Sequence, residues 1–190
     1  MIYTEHMQRA VRFMLKTHEV YQKQKRTGKD VPYISHPLTV GLILARASAS
    51  DEVVIAGILH DTIEDSVPEK KVTRAMLEER FGAEVADLVA SVTELPKSFA
   101  WDVRKKEALD HIGTFSPDSV LLKSADIIAN NAELLEDFAV AGDETFERFS
   151  ESKEKTIQHT LRVIDALLDK WPQSPLVPDL VNIRGLLSKI

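Results

Sequence analysis

Four side chains able to bind a metal or move a proton, His60, Asp61, Glu64 and Asp65, fall within six positions of Gly57-Ile-Leu-His-Asp-Thr-Ile-Glu-Asp-Ser66. They follow an apolar run that cannot solvate them. A helix advancing about 100° per residue would set His60 above Glu64 and Asp61 above Asp65, giving two adjacent pairs on one face. Such a cluster either faces water or surrounds something positive. Two further residues belong with it. His36 sits in Pro32-Tyr-Ile-Ser-His-Pro37, where it would project from the start of a helix. Asp126 lies in Leu121-Leu-Lys-Ser-Ala-Asp-Ile-Ile-Ala-Asn130, among the most apolar stretches of the chain. A carboxylate there must be paired, protonated or metal-bound, because a lone buried charge costs several kcal/mol. Two imidazoles and two carboxylates suit Mn²⁺, Fe²⁺ or Zn²⁺. With no cysteine in the chain, a closed thiolate zinc site is disfavoured and room remains for an open coordination position.

The elements that must position these residues read as helical almost throughout. Met7, Ala10, Val11, Met14, Leu15, His18 and Tyr21 recur at i+3 and i+4, predicting an amphipathic helix over 4–24. Gly28, Asp30 and Pro32 mark 25–34 as a loop. A second helix starts near His36 with Pro37 in its first turn. Asp51 is placed to cap a third, which would carry the 60–65 cluster at its C-terminal end. Thr73 and Gly82 bound a short helix, and another covers about 83–94. Further helices are expected near 98–114, from Pro117 onward, over 143–170 and near 178–188. No segment alternates at period two for long enough to form a sheet. The expectation is all-α: a single compact multi-helix domain over 1–190.

The bulk numbers narrow the function. With 190 residues, one substantial core is possible. Hydrophobic residues at 44% and charged residues at 28% are an ordinary soluble mixture. A net charge of −6 argues against general nucleic-acid binding. No apolar run is long enough for a bilayer span, and Thr4, Glu5 and His6 do not read as a signal peptide. A cytoplasmic protein with a small-molecule partner is expected, and a homodimer stays open. Lys23, Lys25, Arg26 and Lys29 supply a basic rim beside His36, and Lys153 and Lys155 offer another on a helix face. Trp101 and Trp171 read as packing anchors, and His6, His18, His111 and His159 as structural or exposed.

The order His36…His60-Asp61…Asp126 resembles the H…HD…D ligand set of the HD phosphohydrolase superfamily. More narrowly, Arg26-Thr-Gly, Pro32-Tyr-Ile-Ser-His-Pro37, Leu59-His-Asp-Thr-Ile-Glu-Asp65 and Phe81-Gly-Ala-Glu-Val-Ala-Asp-Leu-Val89 are similar to the hydrolase domain of RelA/SpoT-type proteins. The nearest in extent are the stand-alone small alarmone hydrolases, with the motif-bearing part at about 3–170. The resemblance implies Mn²⁺-dependent removal of the 3′-pyrophosphate from guanosine tetra- or pentaphosphate. It makes His36, His60, Asp61 and Asp126 the metal ligands, and Glu64 and Asp65 the catalytic pair that orients or deprotonates water. Lys25 and Arg26 would contact guanine and phosphates, with Asn130, Lys123 and Lys153 as further substrate contacts. One departure stands out: where the family has a basic residue after the last ligand, this chain has Ile127. Two other readings follow, an HD hydrolase of another phosphorylated nucleotide and a nucleotide-sensing module without turnover.

Overall fold

The computed structural model describes residues 2–190. Thr4 starts α1 (Glu5–Leu15) by accepting the Met7 amide on its hydroxyl at 3.2 Å. The chain then departs from the expected helix through 24. It widens into a π-turn over Lys16–Val20 and leaves helical geometry at Lys23, whose φ is +47°. A loop follows, pinned by a backbone bridge between Lys25 and Pro32, and leads into α2 (Ser35–Arg46).

Ser50, rather than Asp51, caps α3 (Asp51–Leu59), its hydroxyl accepting the Val53 amide at 3.3 Å; Asp51 becomes the first helical residue, where negative charge suits the helix dipole. Every residue from Val53 to Leu59 is buried, so α3 is the central rod of the core. Around it pack α1, α2, α6 (Ala83–Val92) and α8 (Pro117–Ala141). Close approach of α2 and α3 depends on glycine. A Cβ on Gly57 would stand 2.3 Å from Leu44 Cδ1, and one on Gly41 would stand 2.9 Å from Ile58 Cγ1. The hydrophobic side chains filling this centre, among them Leu44, Ile55, Leu59 and Leu122, each contribute roughly 1.5–3 kcal/mol by burial.

The short α4 (Thr62–Asp65) follows a break after α3. Thr73 caps α5 (Arg74–Phe81), and Gly82 at φ +89° separates it from α6. A loop over 93–100 joins α6 to α7 (Trp101–His111). Beyond α8 the expected single helix over 143–170 is two pieces. A 3₁₀ segment spans Gly142–Arg148, and α9 (Lys153–Lys170) begins afresh at Ser152, which caps it through the Lys155 amide. Serine favours that cap over a helix interior, which is the reason for the break. Finally α10 (Val177–Leu187) packs with α9 against α8. Among the described residues there is no β-strand, in line with the all-α expectation, and no helix is long and apolar enough to cross a membrane.

Candidate metal centre and the cavity around it

Three helices bring the chemistry-bearing residues together. His36 is the second residue of α2, His60 follows the last residue of α3, and Asp126 lies midway along α8. All three are buried. The α3 helix does not continue into the cluster as expected. The Thr62 hydroxyl takes the Leu59 carbonyl at 2.7 Å, and Asp61 adopts φ −90°, ψ −2°. Three carboxylates at a helix C-terminus oppose its dipole, and the break relieves this by turning them apart. The short turn that follows is bridged from the Asp65 amide to the Asp61 carbonyl at 2.9 Å.

The break divides the four residues. Asp61 turns towards the histidines: its Oδ2 lies 3.0 Å from His60 Nε2 and 3.6 Å from His36 Nε2. The two Nε2 atoms are 3.2 Å apart, and Asp126 Oδ1 is 3.3 Å from that of His36 and 3.8 Å from that of His60. Asp65 turns the other way, accepting Gln24 Nε2 at 2.8 Å and Lys97 Nζ at 2.6 Å. Glu64 stays on the cavity wall, where its Oε2 accepts only a long 3.4 Å bond from the Glu94 amide.

These donors fit a divalent ion. Ligand atoms at about 2.0–2.2 Å from one centre are roughly 3–3.6 Å apart; His36, His60 and Asp126 place one donor atom each within 4.8 Å of one another, and Asp61 joins them from the side of the two imidazoles. His60 Nδ1 donates to the Gly57 carbonyl at 2.8 Å, which turns Nε2 towards the cluster as the nitrogen available to a metal in place of a proton. Tyr33 donates its hydroxyl to Asp61 Oδ2, the same oxygen that faces the two histidines, and so fixes its orientation. Asp126 accepts Lys123 Nζ on Oδ2 at 2.9 Å and Asn130 Nδ2 on Oδ1 at 2.6 Å. Electrostatics gives the same picture. Burial alone would lower the pKa of His60, but the charges of Asp61 and Asp126 raise it to about 9, so the pocket demands a positive charge. Burial opposes ionisation of Asp126, yet Lys123 and the histidines hold it well below the ordinary carboxylate range. Glu64 moves the other way: burial first, then Asp61 and Glu94, raise its pKa.

The cluster opens onto a cavity of about 460 Å³. Arg26 lines it, donating from Nε to Glu133 at 2.9 Å and from its terminal nitrogen to Asn130 at 2.7 Å. Arg26 thus reaches Asp126 through Asn130. Lys25 lies at the rim, exposed and ion-paired with Asp30. Lys123 and Asn130 line the cavity too, whereas Lys153 does not. Its ammonium pairs with Asp143 at 2.5 Å and sits over the Phe138 ring at 4.9 Å, because α9 begins ten residues later than expected and turns that position away. Ile127 also faces the cavity.

Several cavity residues had no signal in the sequence. Lys97, Arg104 and Lys105 come from the loop before α7 and from α7 itself, with Glu94 held between Arg104 at 3.3 Å and Lys105 at 2.6 Å. Trp101 and His159 form an edge-to-face pair with centroids 5.4 Å apart on the same wall. Burial, then the cations Lys105 and Lys123, lower His159 to about 4, so it is neutral at physiological pH. Their spacing in the chain is that of ordinary amphipathic helices, and only the fold brings them to the metal cluster.

Comparison with known proteins identifies the family and the fold. The profile of the HD domain matches residues 10–115, a stretch that carries His36, His60 and Asp61. The guanosine-3′,5′-bis(diphosphate) 3′-pyrophosphohydrolase MESH1 of Mus musculus is 34% identical over 122 residues, covering 62% of this chain and 64% of that protein. A guanosine-3′,5′-bis(diphosphate) 3′-pyrophosphohydrolase of Aquifex aeolicus is 41% identical over 95 residues, 50% of this chain and 12% of that one. The chain thus spans less than two thirds of the length of either relative. A solved structure of a metazoan ortholog of SpoT that hydrolyses ppGpp has the same fold, with a TM-score of 0.77 at 22% identity over 98% of this chain and 99% of that one. With more than half of its residues matched by the domain profile, the chain belongs to the HD-domain family.

Proposed function

We propose that the protein is a metal-dependent hydrolase that removes the 3′-pyrophosphate from guanosine 3′,5′-bis(diphosphate) and its 5′-triphosphate counterpart, releasing pyrophosphate. The observation that carries this is the convergence of the two imidazole Nε2 atoms, 3.2 Å apart, with Asp61 and Asp126 each placing a carboxylate oxygen 3.0–3.8 Å from both of them, beside Glu64. The names of the relatives from Mus musculus and Aquifex aeolicus support the substrate. His36, His60, Asp61 and Asp126 would hold the ion; an N₂O₂ donor set without sulfur accepts Mn²⁺, Fe²⁺ or Zn²⁺, and Mn²⁺ is the ion that the resemblance to the RelA/SpoT-type hydrolases implies. When bound, a divalent ion neutralises charge on the phosphoryl oxygens and makes water more acidic.

The chain's own residues do the rest. Glu64, with its raised pKa and only one long hydrogen bond, takes the proton from the attacking water. The new bond forms from that water oxygen to the phosphorus attached to the ribose 3′ oxygen. The bond from phosphorus to the 3′ oxygen breaks, its electron pair stays on that oxygen, and a proton completes the hydroxyl of the product. Asp65, with both oxygens already engaged, orients its turn. Tyr33 and Lys123 hold the two ligand carboxylates. Arg26, Asn130 and Lys25 line the side of the cavity available to the base and its phosphates.

A chelator-treated preparation should release no pyrophosphate, and Mn²⁺ should restore release better than Zn²⁺. Release without any added metal would overturn the assignment. A second reading, another phosphorylated nucleotide, is favoured by Ile127 facing the cavity and by Glu133 neutralising Arg26. A product profile over 3′-phosphorylated guanosine and adenosine nucleotides separates the two.

A further inference from the structure

Of the two expectations for His18, structural or exposed, the fold excludes exposure: the ring is wholly buried, and it stands at the place where the first helix abandons its geometry. A π-turn weakens the hydrogen-bond ladder and tends to occur singly, where it re-aims a side chain for function. Here the turn aims His18 at Gln24. Its Nδ1 is 2.7 Å from Gln24 Oε1, and Gln24 Nε2 is 2.8 Å from Asp65 Oδ2. The backbone reinforces the link, since the Gln24 amide donates to the His18 carbonyl at 2.8 Å and the Tyr33 amide to the Gln24 carbonyl at 2.8 Å.

We propose that His18 and Gln24 are positioning residues that lock the carboxylate of Asp65, and through it the short turn that presents Glu64 to the metal centre. This rests on the hydrolase reading above. The polarity of the chain is dictated from its acidic end. An ionised carboxylate only accepts, so Gln24 must offer it the amide nitrogen and keep its oxygen for His18. His18 must then carry its proton on Nδ1. The other tautomer would face Oε1 with a bare nitrogen and leave an N–H at Nε2, which is buried and has no partner among the described residues. Burial lowers the pKa of His18 despite the Gln24 bond, which keeps the ring in its neutral form. The same ring lies 5.0 Å from that of Tyr33, whose hydroxyl holds Asp61. With Lys97 on its other oxygen and Gln22 Nε2 on its backbone carbonyl at 2.9 Å, Asp65 is fully engaged. The acidic pair therefore divides its work: Asp65 is the anchor and Glu64 the proton acceptor.

Three variants test the chain in the full-length protein. His18→Phe keeps the ring and removes the donor, Gln24→Met keeps the length and removes the amide, and His18→Asn returns a donor near the position of Nδ1. With guanosine 3′,5′-bis(diphosphate) and Mn²⁺, the first two should each lower kcat about tenfold or more, leaving KM and Mn²⁺ affinity within about twofold. The double variant should be no slower than the slower single one, and His18→Asn should recover most of the rate. Wild-type kcat in His18→Phe, or losses that multiply in the double variant, would overturn the proposal. A second readout needs no substrate: ¹⁵N spectra of the histidine rings in the intact protein should show His18 neutral and protonated at Nδ1, and Gln24→Met should disturb that tautomer. A ring protonated at Nε2 would refute the chain by itself. If the wild type releases no pyrophosphate, the substrate reading fails, whereas the ring spectra still decide the chain.

Discussion

Asp126 is the side chain whose surroundings the sequence constrains most, because a carboxylate in so apolar a helix has to meet cations. It meets Lys123, Asn130 and the two histidines, and its position was legible for that reason. Glu64 and Asp65 are adjacent in sequence and chemically alike, so nothing in the sequence assigns them different tasks. The structure separates them by hydrogen bonding, with Asp65 saturated and Glu64 nearly free. Glu64→Gln should therefore lower kcat by about 10²–10⁴-fold while Mn²⁺ affinity stays within a few-fold, measured by pyrophosphate release and by metal titration. Burial and the neighbouring Asp61 and Glu94 raise the Glu64 pKa above the ordinary 4.5 of a glutamate. The basic form is then lost at a higher pH than usual as the solution is acidified. The acid limb of kcat/KM should accordingly lie above pH 4.5 and should be absent from the residual activity of Glu64→Gln.

At the scale of elements, periodicity located the helices well but not their interruptions. The departures at Lys16–Val20, at His60-Asp61 and before Ser152 each occur where a side chain competes with the backbone or where charge opposes a helix end. Two of the three lie at the site, since aiming a side chain out of helical register is how the fold gathers it. Residues such as Arg104, Lys105 and His159 stayed hidden because their spacing is that of any amphipathic helix. Close packing of α2 on α3 positions His36 against His60, and it depends on Gly57. Gly57→Ala would drive a methyl into Leu44 Cδ1, 2.3 Å from the new Cβ. A loss of about 1–3 kcal/mol is expected in denaturant unfolding, with weaker metal binding as α2 is pushed away. Unchanged stability would show that the two helices can part without cost.

Across the whole molecule, ion pairs tie the loop over 25–31 and the 3₁₀ segment over 142–148 to α8. Lys29 bridges Glu133 at 2.7 Å and Asp137 at 2.6 Å, and Arg148 reaches Asp137 at 2.7 Å. Burial opposes ionisation of both acids, but Lys29 with Arg26 at Glu133, and with Arg148 at Asp137, lowers their pKa values in the folded protein. Their stabilisation is thus complete above the ordinary carboxylate values and fades as the pH falls through the lower folded-state values. Solvent screening limits each pair to roughly 1 kcal/mol. The thermal midpoint of Glu133→Gln should lie below that of the wild type at pH 7, and the gap should close towards pH 3. A gap that persists in acid would mean that Glu133 contributes by packing instead.

The central claim is that the buried His36, His60, Asp61 and Asp126 hold a metal for removing the 3′-pyrophosphate. The most direct measurement is pyrophosphate release from guanosine 3′,5′-bis(diphosphate) with Mn²⁺, wild type against Asp61→Ala, both checked for folding by thermal melting. Metal-dependent release by the wild type and a loss of about 10³-fold or more in a folded Asp61→Ala are predicted. Equal rates in the two proteins, or no release by the wild type with Mn²⁺, would contradict the account.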